Sequence, residues 1–313
     1  MWWLIPAVVL LLVLAAAFGC YLAAFHVRPA IRRRDVFTET ANAPEGSTQS
    51  AIHMLVGELR ALPYEEITIT ARDGCCLHGR YYRAGEGAPL QIMFHGWRST
   101  AEHDFGGGHK LARALGHNIL LVDQRAHGKS GSHTLSFGIR ERYDCADWAA
   151  YAATRFPASP ILLTGISMGA TTVLMASSLP LPEAVVGIMA DCPFSTPAAI
   201  IRKVCGDAHV PHWLGMPFVH LGAWLFGGFR LKDGGAVEAV ANTKLPILLV
   251  HGEADGFVPC AMSREIAAAC RSDMTFFTVP EAGHGASFLV DKEGYKAAVL
   301  AFLQKVLPTE STY

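Results

Sequence analysis

From about residue 64 the chain alternates short apolar runs with longer stretches of helical periodicity. Glu66–Ala71 (EITITA) and Leu77–Tyr82 flank a turn at Asp73-Gly74, which predicts a hairpin. Further runs follow at Leu90–Phe94, Asn118–Val122, Pro160–Thr164, Ala184–Ala190, Pro246–Val250 and Thr275–Val279. They are apolar throughout, so each predicts a strand covered on both faces, as in a parallel sheet. Helical patterns at Lys110–Leu115, Ile139–Thr154, Met168–Ser178, Met262–Cys270 and Asp291–Val306 lie between them. A hairpin followed by repeated strand–helix units predicts an α/β fold, with a mostly parallel central sheet and helices on both faces. The rhythm breaks from Phe194 to Asn242, a stretch rich in Trp, Phe, His and Gly that reads as a small helical cap inserted at about 194–242.

The N-terminus follows a different pattern. Trp2 to Phe25 is a run of 24 residues without a charge. As a helix rising 1.5 Å per residue it crosses a hydrocarbon core of roughly 30 Å. A cleaved secretory signal fits less well, because no Lys or Arg precedes the run and it exceeds the usual apolar length. Ala17-Phe18-Gly19-Cys20 lacks the Leu expected of a lipoprotein processing site. Residues 2–25 are therefore expected to form one transmembrane anchor. Arg28, Arg32, Arg33 and Arg34 follow it, which puts the bulk of the chain on the cytoplasmic side. Residues 26–63 read as a basic juxtamembrane segment and a polar linker, and 64–313 as the folded domain.

Composition narrows the class. Of the 313 residues 51% are hydrophobic and only 17% charged, which excludes a disordered chain. The 26 Lys+Arg balance 27 Asp+Glu, leaving no basic footprint for nucleic acid. The eight cysteines form no C-x-x-C pair and no Cys/His cluster of zinc spacing, so no metal or other cofactor is expected. They read as reduced, mostly buried thiols, in keeping with a cytoplasmic domain.

Parallel sheets carry their chemistry beyond the carboxyl ends of the strands. Pro160–Thr164 runs into Gly165-Ile166-Ser167-Met168-Gly169, with a helix pattern after it. This is G-x-S-x-G in strand–turn–helix context, and it marks Ser167 as a nucleophile with the Met168 N–H beside it as an oxyanion donor. A serine needs a base. Pro246–Val250 leads into His251-Gly252-Glu253-Ala254-Asp255, and Thr275–Val279 into Pro280-Glu281-Ala282-Gly283-His284-Gly285. Asp255 and His284 then meet Ser167 on one rim, with Asp191 and Glu253 as alternative acids. Leu90–Phe94 ends in His95-Gly96-Trp97, and the Trp97 N–H is the expected second oxyanion donor. Asp123-Gln124-Arg125-Ala126-His127-Gly128-Lys129-Ser130 reads as a support loop held by an Asp–Arg pair. The cap's Trp213, Leu214, Met216, Phe218, Trp224, Leu225, Phe226 and Phe229 are divided between packing and an apolar acyl pocket.

Together GISMG, HGW, DQRAHGKS, HGEADGFVP and EAGHG resemble the serine α/β-hydrolases over about residues 64–306. The nearest flavour is the bacterial membrane-anchored esterase/lipase or prolyl-oligopeptidase-like group. The resemblance implies the α/β-hydrolase fold, a Ser167–Asp255–His284 triad, and an oxyanion hole from the Trp97 and Met168 amides. The one departure is Ala126, where many relatives carry Gly. The expected reaction is hydrolysis of a small-molecule acyl ester or acylated substrate, lipid-like because of the anchor. A peptidase or thioesterase with the same triad, and a non-catalytic membrane-bound binding module, stand as alternatives. Acyl length and oligomeric state are not fixed by these residues.

Overall fold

A computed structural model describes residues 4–307. Trp2 and Trp3 of the expected anchor, and residues 308–313 of the expected domain, lie outside the described residues. The body is an eight-stranded sheet in the order β1-β2-β4-β3-β5-β6-β7-β8. Its strands are β1 (Glu65–Thr70), β2 (Cys76–Tyr82), β3 (Leu90–Phe94), β4 (Asn118–Asp123), β5 (Ile161–Ile166), β6 (Val185–Asp191), β7 (Ile247–Gly252) and β8 (Met274–Val279). The β1–β2 hairpin is antiparallel and β2 runs antiparallel to β4, while the remaining pairs are parallel. Strands β3, β4 and β7 are buried almost end to end because helices cover both faces, while β8 at the sheet edge is half-buried. Each lies within two residues of the run that predicts it.

Four helices precede the sheet: α1 (Leu4–Ala24), α2 (Pro29–Arg32), α3 (Val36–Thr40) and α4 (Thr48–Arg60). The layers around it are α5 (Ala101–Phe105), α6 (Gly108–Ala114), α7 (Glu141–Arg155) and α8 (Met168–Ala176). Between β6 and β7 come α9 (Pro197–Asp207), α10 (His212–Gly222), a π-helical turn (Ala223–Gly227) and α11 (Ala236–Val240). The chain ends with α12 (Cys260–Ala269), α13 (Ser287–Val290) and α14 (Lys292–Val306). Within the stretch expected to be cap, α11 packs on α8 and α12 in the body, so the excursion is α9, α10 and the π-helical turn.

The 26–63 segment departs from the expected linker. It carries three helices and folds onto the body. Asp35 caps α3 and Ser47 caps α4, each accepting from a backbone N–H of the first turn. Val56 and Leu59 of α4 are buried. Arg60 reaches Asp35 at 2.7 Å and Glu102 at 2.6 Å, pinning α4 to α5. Arg32, one of the four arginines that follow the expected anchor, donates to the carbonyls of Gly128, Ser130 and Ser132.

Two cores result. One lies between the sheet and α7, α8, α11 and α12, around Trp148, Ile92 and Leu163. A second joins Tyr21, Phe25 and Val27 to cap residues Met216, Val219 and Phe229, to Phe137, and to Met168 at the start of α8. The lower end of α1 is thus part of the folded body.

Candidate active site

At the end of β5 the chain turns so sharply that Ser167 adopts φ 55°, ψ −117°, a strained conformation for a side chain other than glycine. The flanking glycines permit it. A Cβ on Gly165 would stand 2.3 Å from the Gly169 backbone, and one on Gly169 only 1.8 Å from the Phe94 carbonyl oxygen. Ser167 therefore sits at the head of α8, its N–H donating to the Asp191 carbonyl at 2.8 Å.

The turns after β7 and β8 bring the other two expected residues to it. His284 Nε2 lies 3.0 Å from Ser167 Oγ, and His284 Nδ1 lies 2.7 Å from Asp255 Oδ2. The second carboxylate oxygen of Asp255 accepts from the N–H groups of Phe257 and Val258 at 2.9 and 2.8 Å. Buried His251 stands 3.3 Å from the same carboxylate. Burial alone would raise the Asp255 pKa, but the hydrogen bonds from His251, His284 and Val258 outweigh it and hold the carboxyl well below the usual carboxylate range. A fixed anion is what an imidazole needs to keep Nε2 turned toward the serine. Of the alternative acids, Glu253 pairs with Arg264 at the surface.

Asp191 is buried at the end of β6, and its Oδ1 has no hydrogen-bond partner among the described residues. Desolvation pushes its carboxyl up to about 6. Cys192 beside it is a neutral neighbour of the site, its thiol pushed up strongly by burial. All eight cysteines are free. Three are buried, four are half-buried and Cys76 is exposed, so fewer are buried than expected.

The Trp97 and Met168 N–H groups donate no hydrogen bond to the described residues. The loop bearing Trp97 is held from two directions. On the inner side Asp104 accepts from the Gly96 N–H at 2.6 Å and the Ser99 hydroxyl at 2.6 Å, with His103 at 2.8 Å. Burial would raise the Asp104 carboxyl, yet these partners keep it below its ordinary value. On the outer side Arg98, at φ 51°, donates to the carbonyls of Leu22, Ala23 and His26 at 3.4, 2.8 and 2.9 Å. The Trp97 indole N–H reaches the Ala24 carbonyl at 3.4 Å. The orphan carbonyls at the end of α1 are thus capped by the loop beside Ser167. Neither Arg98 nor this cap was expected from the sequence.

A cavity of about 420 Å³ opens at these residues. Ser167, His284, Gly96 and Trp97 line it, with Thr164 and Asp191 on the sheet face. Its walls are Ile52 and Leu55 of α4, Phe288 and Leu289 of α13, and Val299 of α14. No residue of 194–242 lines it. The apolar wall expected of the cap is instead supplied in part by α4, in the segment expected to be linker. Met216 and Phe229 pack inward, while Trp213, Leu214, Trp224, Leu225 and Phe226 face outward. The Asp123–Ser130 loop is held by Asp–Arg pairs, as expected, with the acids supplied from outside the loop. Arg125 pairs with Asp144 at 2.5 Å and Asp73 at 3.0 Å, whereas Asp123 accepts from the Lys129 N–H at 3.0 Å.

Comparison with known proteins agrees with the architecture. The alpha/beta hydrolase fold family matches residues 89–215, and the TAP-like protein family matches residues 232–311. The chain belongs to the α/β-hydrolase superfamily. It is similar to the uncharacterized protein YqkD of Bacillus subtilis, 24% identical over 61% of this chain and 64% of the relative, just under two thirds of the latter's length. It is also similar to the alpha/beta hydrolase domain-containing protein WAV2 of Arabidopsis thaliana, 24% identical over 79% of this chain and 80% of the relative. Among solved structures the Pyrococcus furiosus esterase Pf2001 superposes with TM-score 0.63 at 23% identity, over 80% of this chain and 96% of that one.

Proposed function

We propose that the protein is a serine hydrolase that cleaves carboxylic esters by a two-step acyl transfer to water. The observation that carries this reading is the hydrogen-bonded series Asp255–His284–Ser167, at 2.7 and 3.0 Å, on the wall of the cavity. His284 takes the Ser167 proton as Oγ attacks the acyl carbon. Asp255 orients the imidazole and stabilises its protonated form. The Trp97 and Met168 N–H groups receive the developing oxyanion, each donor being worth on the order of 10²–10³ in rate. His284 returns its proton to the leaving alcohol, then activates the water that releases the acid.

An apolar cavity of this volume suits an acyl chain. α1 supports a membrane setting: it has 21 residues, its best window reaches a mean hydropathy of 2.6, and only 11% of that window is buried. We place the hydrolase body on the cytoplasmic side, because Arg28, Arg33 and Arg34 follow α1.

The test is hydrolysis of a chromogenic ester series, short to long acyl, by the full chain and by Ser167→Ala. Turnover that disappears in the variant, with rates falling on the acid side as the imidazole takes up a proton, is the expected result. Equal turnover in both would remove Ser167 from the chemistry. Peptide or thioester turnover far above ester turnover would keep the triad and change the substrate.

A further inference from the structure

One large feature plays no part in the cavity. Residues 208–229 contain no Asp, Glu, Lys or Arg over 22 positions, bounded by Asp207 and Arg230. In a water-facing cap such a stretch would be folded inward. Here it is α10 and the π-helical turn, and its side chains divide cleanly. Met216, Val219, Gly222 and Ala223 are buried toward α1 and the second core, at helical spacing. Trp213 is 72% exposed and Trp224 53%, with Leu214, Leu225 and Phe226 exposed beside them.

The same region limits how α1 can cross a bilayer. Leu4–Leu12 is exposed all round, but from Ala17 onward α1 is packed against α10. A Cβ on Gly222 would stand 2.4 Å from the Ala17 carbonyl oxygen, so the two helices touch backbone to backbone. The Phe18 and Phe226 rings meet edge on at 5.0 Å. Tyr21 is fixed to Thr134 by a 2.7 Å hydrogen bond. The described residues ahead of that docked end, Leu4 to Ala16, reach only about 20 Å at 1.5 Å per residue. A hydrocarbon core is roughly 30 Å thick. Among the described residues, α1 therefore does not span it without carrying its docked half, and the partner helix beside that half, into the lipid.

We propose that the outer face of α10 and the π-helical turn is a bilayer-contacting surface, immersed beside α1. The inference rests on α1 being a membrane span. It explains why Trp213, Leu214, Trp224, Leu225 and Phe226 are left facing outward. Large apolar patches of this kind mark an interaction surface, and aromatic residues at the edge of a span suit the interfacial belt. The charged residues Arg202, Asp207, Arg230 and Lys232 fall at the two ends of the run, where headgroups or water can take them.

The full chain is reconstituted in phosphatidylcholine vesicles carrying brominated acyl chains, which quench tryptophan on contact. Trp213→Phe/Trp224→Phe keeps the surface apolar and removes its two reporters. The expected result is that the wild-type protein loses more emission to the brominated lipid than the double variant does. Equal quenching in the two proteins would overturn the proposal. Protection of Trp213 and Trp224 from aqueous acrylamide without quenching by brominated lipid would also overturn it, in favour of a second protein chain on this face. Vesicle flotation reads the span separately: a protein that floats but shows no difference keeps α1 in the membrane and leaves the cap outside. One that does not float sinks both.

Discussion

Two segments lie outside the sheet and its helical layers: the N-terminal arm of α1–α4 and the cap of α9, α10 and the π-helical turn. By composition the arm is a tether and the cap a substrate pocket. In three dimensions they exchange roles. The arm caps the loop beside Ser167 through Arg98 and walls the cavity with Ile52 and Leu55. The cap gives no side chain to the cavity and turns its aromatic residues away from the body. The difference lies in what each segment has to bury. Helix α4 of the arm presents one apolar stripe, with Val56 and Leu59 buried, and the body covers it. The cap has apolar residues on both faces, and the second core covers only one of them.

The largest effect expected from breaking this arrangement is at Arg98. It touches no part of the cavity's reacting atoms, so it is a positioning residue. Its guanidinium joins two carbonyls of α1 and that of His26 just beyond it to the loop bearing the Trp97 N–H. Losing an oxyanion donor outright costs 10²–10³ in kcat, and loosening one costs less. Arg98→Ala should lower kcat for a short ester by roughly 10–100-fold, with KM within about twofold. Arg98→Lys should not restore it, since one ammonium cannot reproduce the planar fork. An unchanged kcat in steady-state assays would reduce the arm to an anchor.

A smaller effect separates the wall from the cap. Leu55→Trp fills the cavity from α4 and should disfavour long-chain over short-chain esters by about tenfold in kcat/KM, the scale of one or two methylene groups in an apolar pocket. Trp213→Ala, on the outward face of α10, should leave that ratio within twofold in detergent solution. If Trp213→Ala shifts the chain-length optimum and Leu55→Trp does not, the assignment of wall and cap is reversed.

How much of this could be read along the chain follows the same division. Six strands were legible as apolar runs between turn residues and two as a hairpin around Asp73-Gly74, and Ser167, Asp255 and His284 because each follows such an apolar run. The proposed nucleophile, acid and base are therefore local to strand ends. The contacts of Arg98 are not: they join residues more than seventy positions apart. No local pattern encodes a guanidinium meeting the end of a distant helix. Helix α4 was legible in principle. Ser47 stands as an N-cap, followed by Ile52, Leu55, Val56 and Leu59 at helical spacing. The polar residues around Pro44-Glu45-Gly46 drew the whole stretch into a linker reading. For the cap, aromatic content marks a surface that must be covered but does not say by what.

The smallest effect tests how tightly the arm closes the cavity. Asp191 and the α4 residues line the same space, and a wall held tight keeps water from the unpaired carboxylate oxygen. Desolvation raises the folded-state pKa to about 6, above the ordinary carboxylate value of about 3.9. A raised pKa means that the stability contribution is full below about pH 4 and is lost as pH rises through 6. At pH 8 the ionised group costs the fold on the order of 2–3 kcal/mol. Asp191→Asn removes that charge, so it should raise the thermal midpoint at pH 8 by a few degrees and gain almost nothing at pH 4. The check is thermal unfolding of both proteins in one detergent at the two pH values. A gain of equal size at both would mean that water already reaches Asp191, and that α4 stands off the body instead of sealing it.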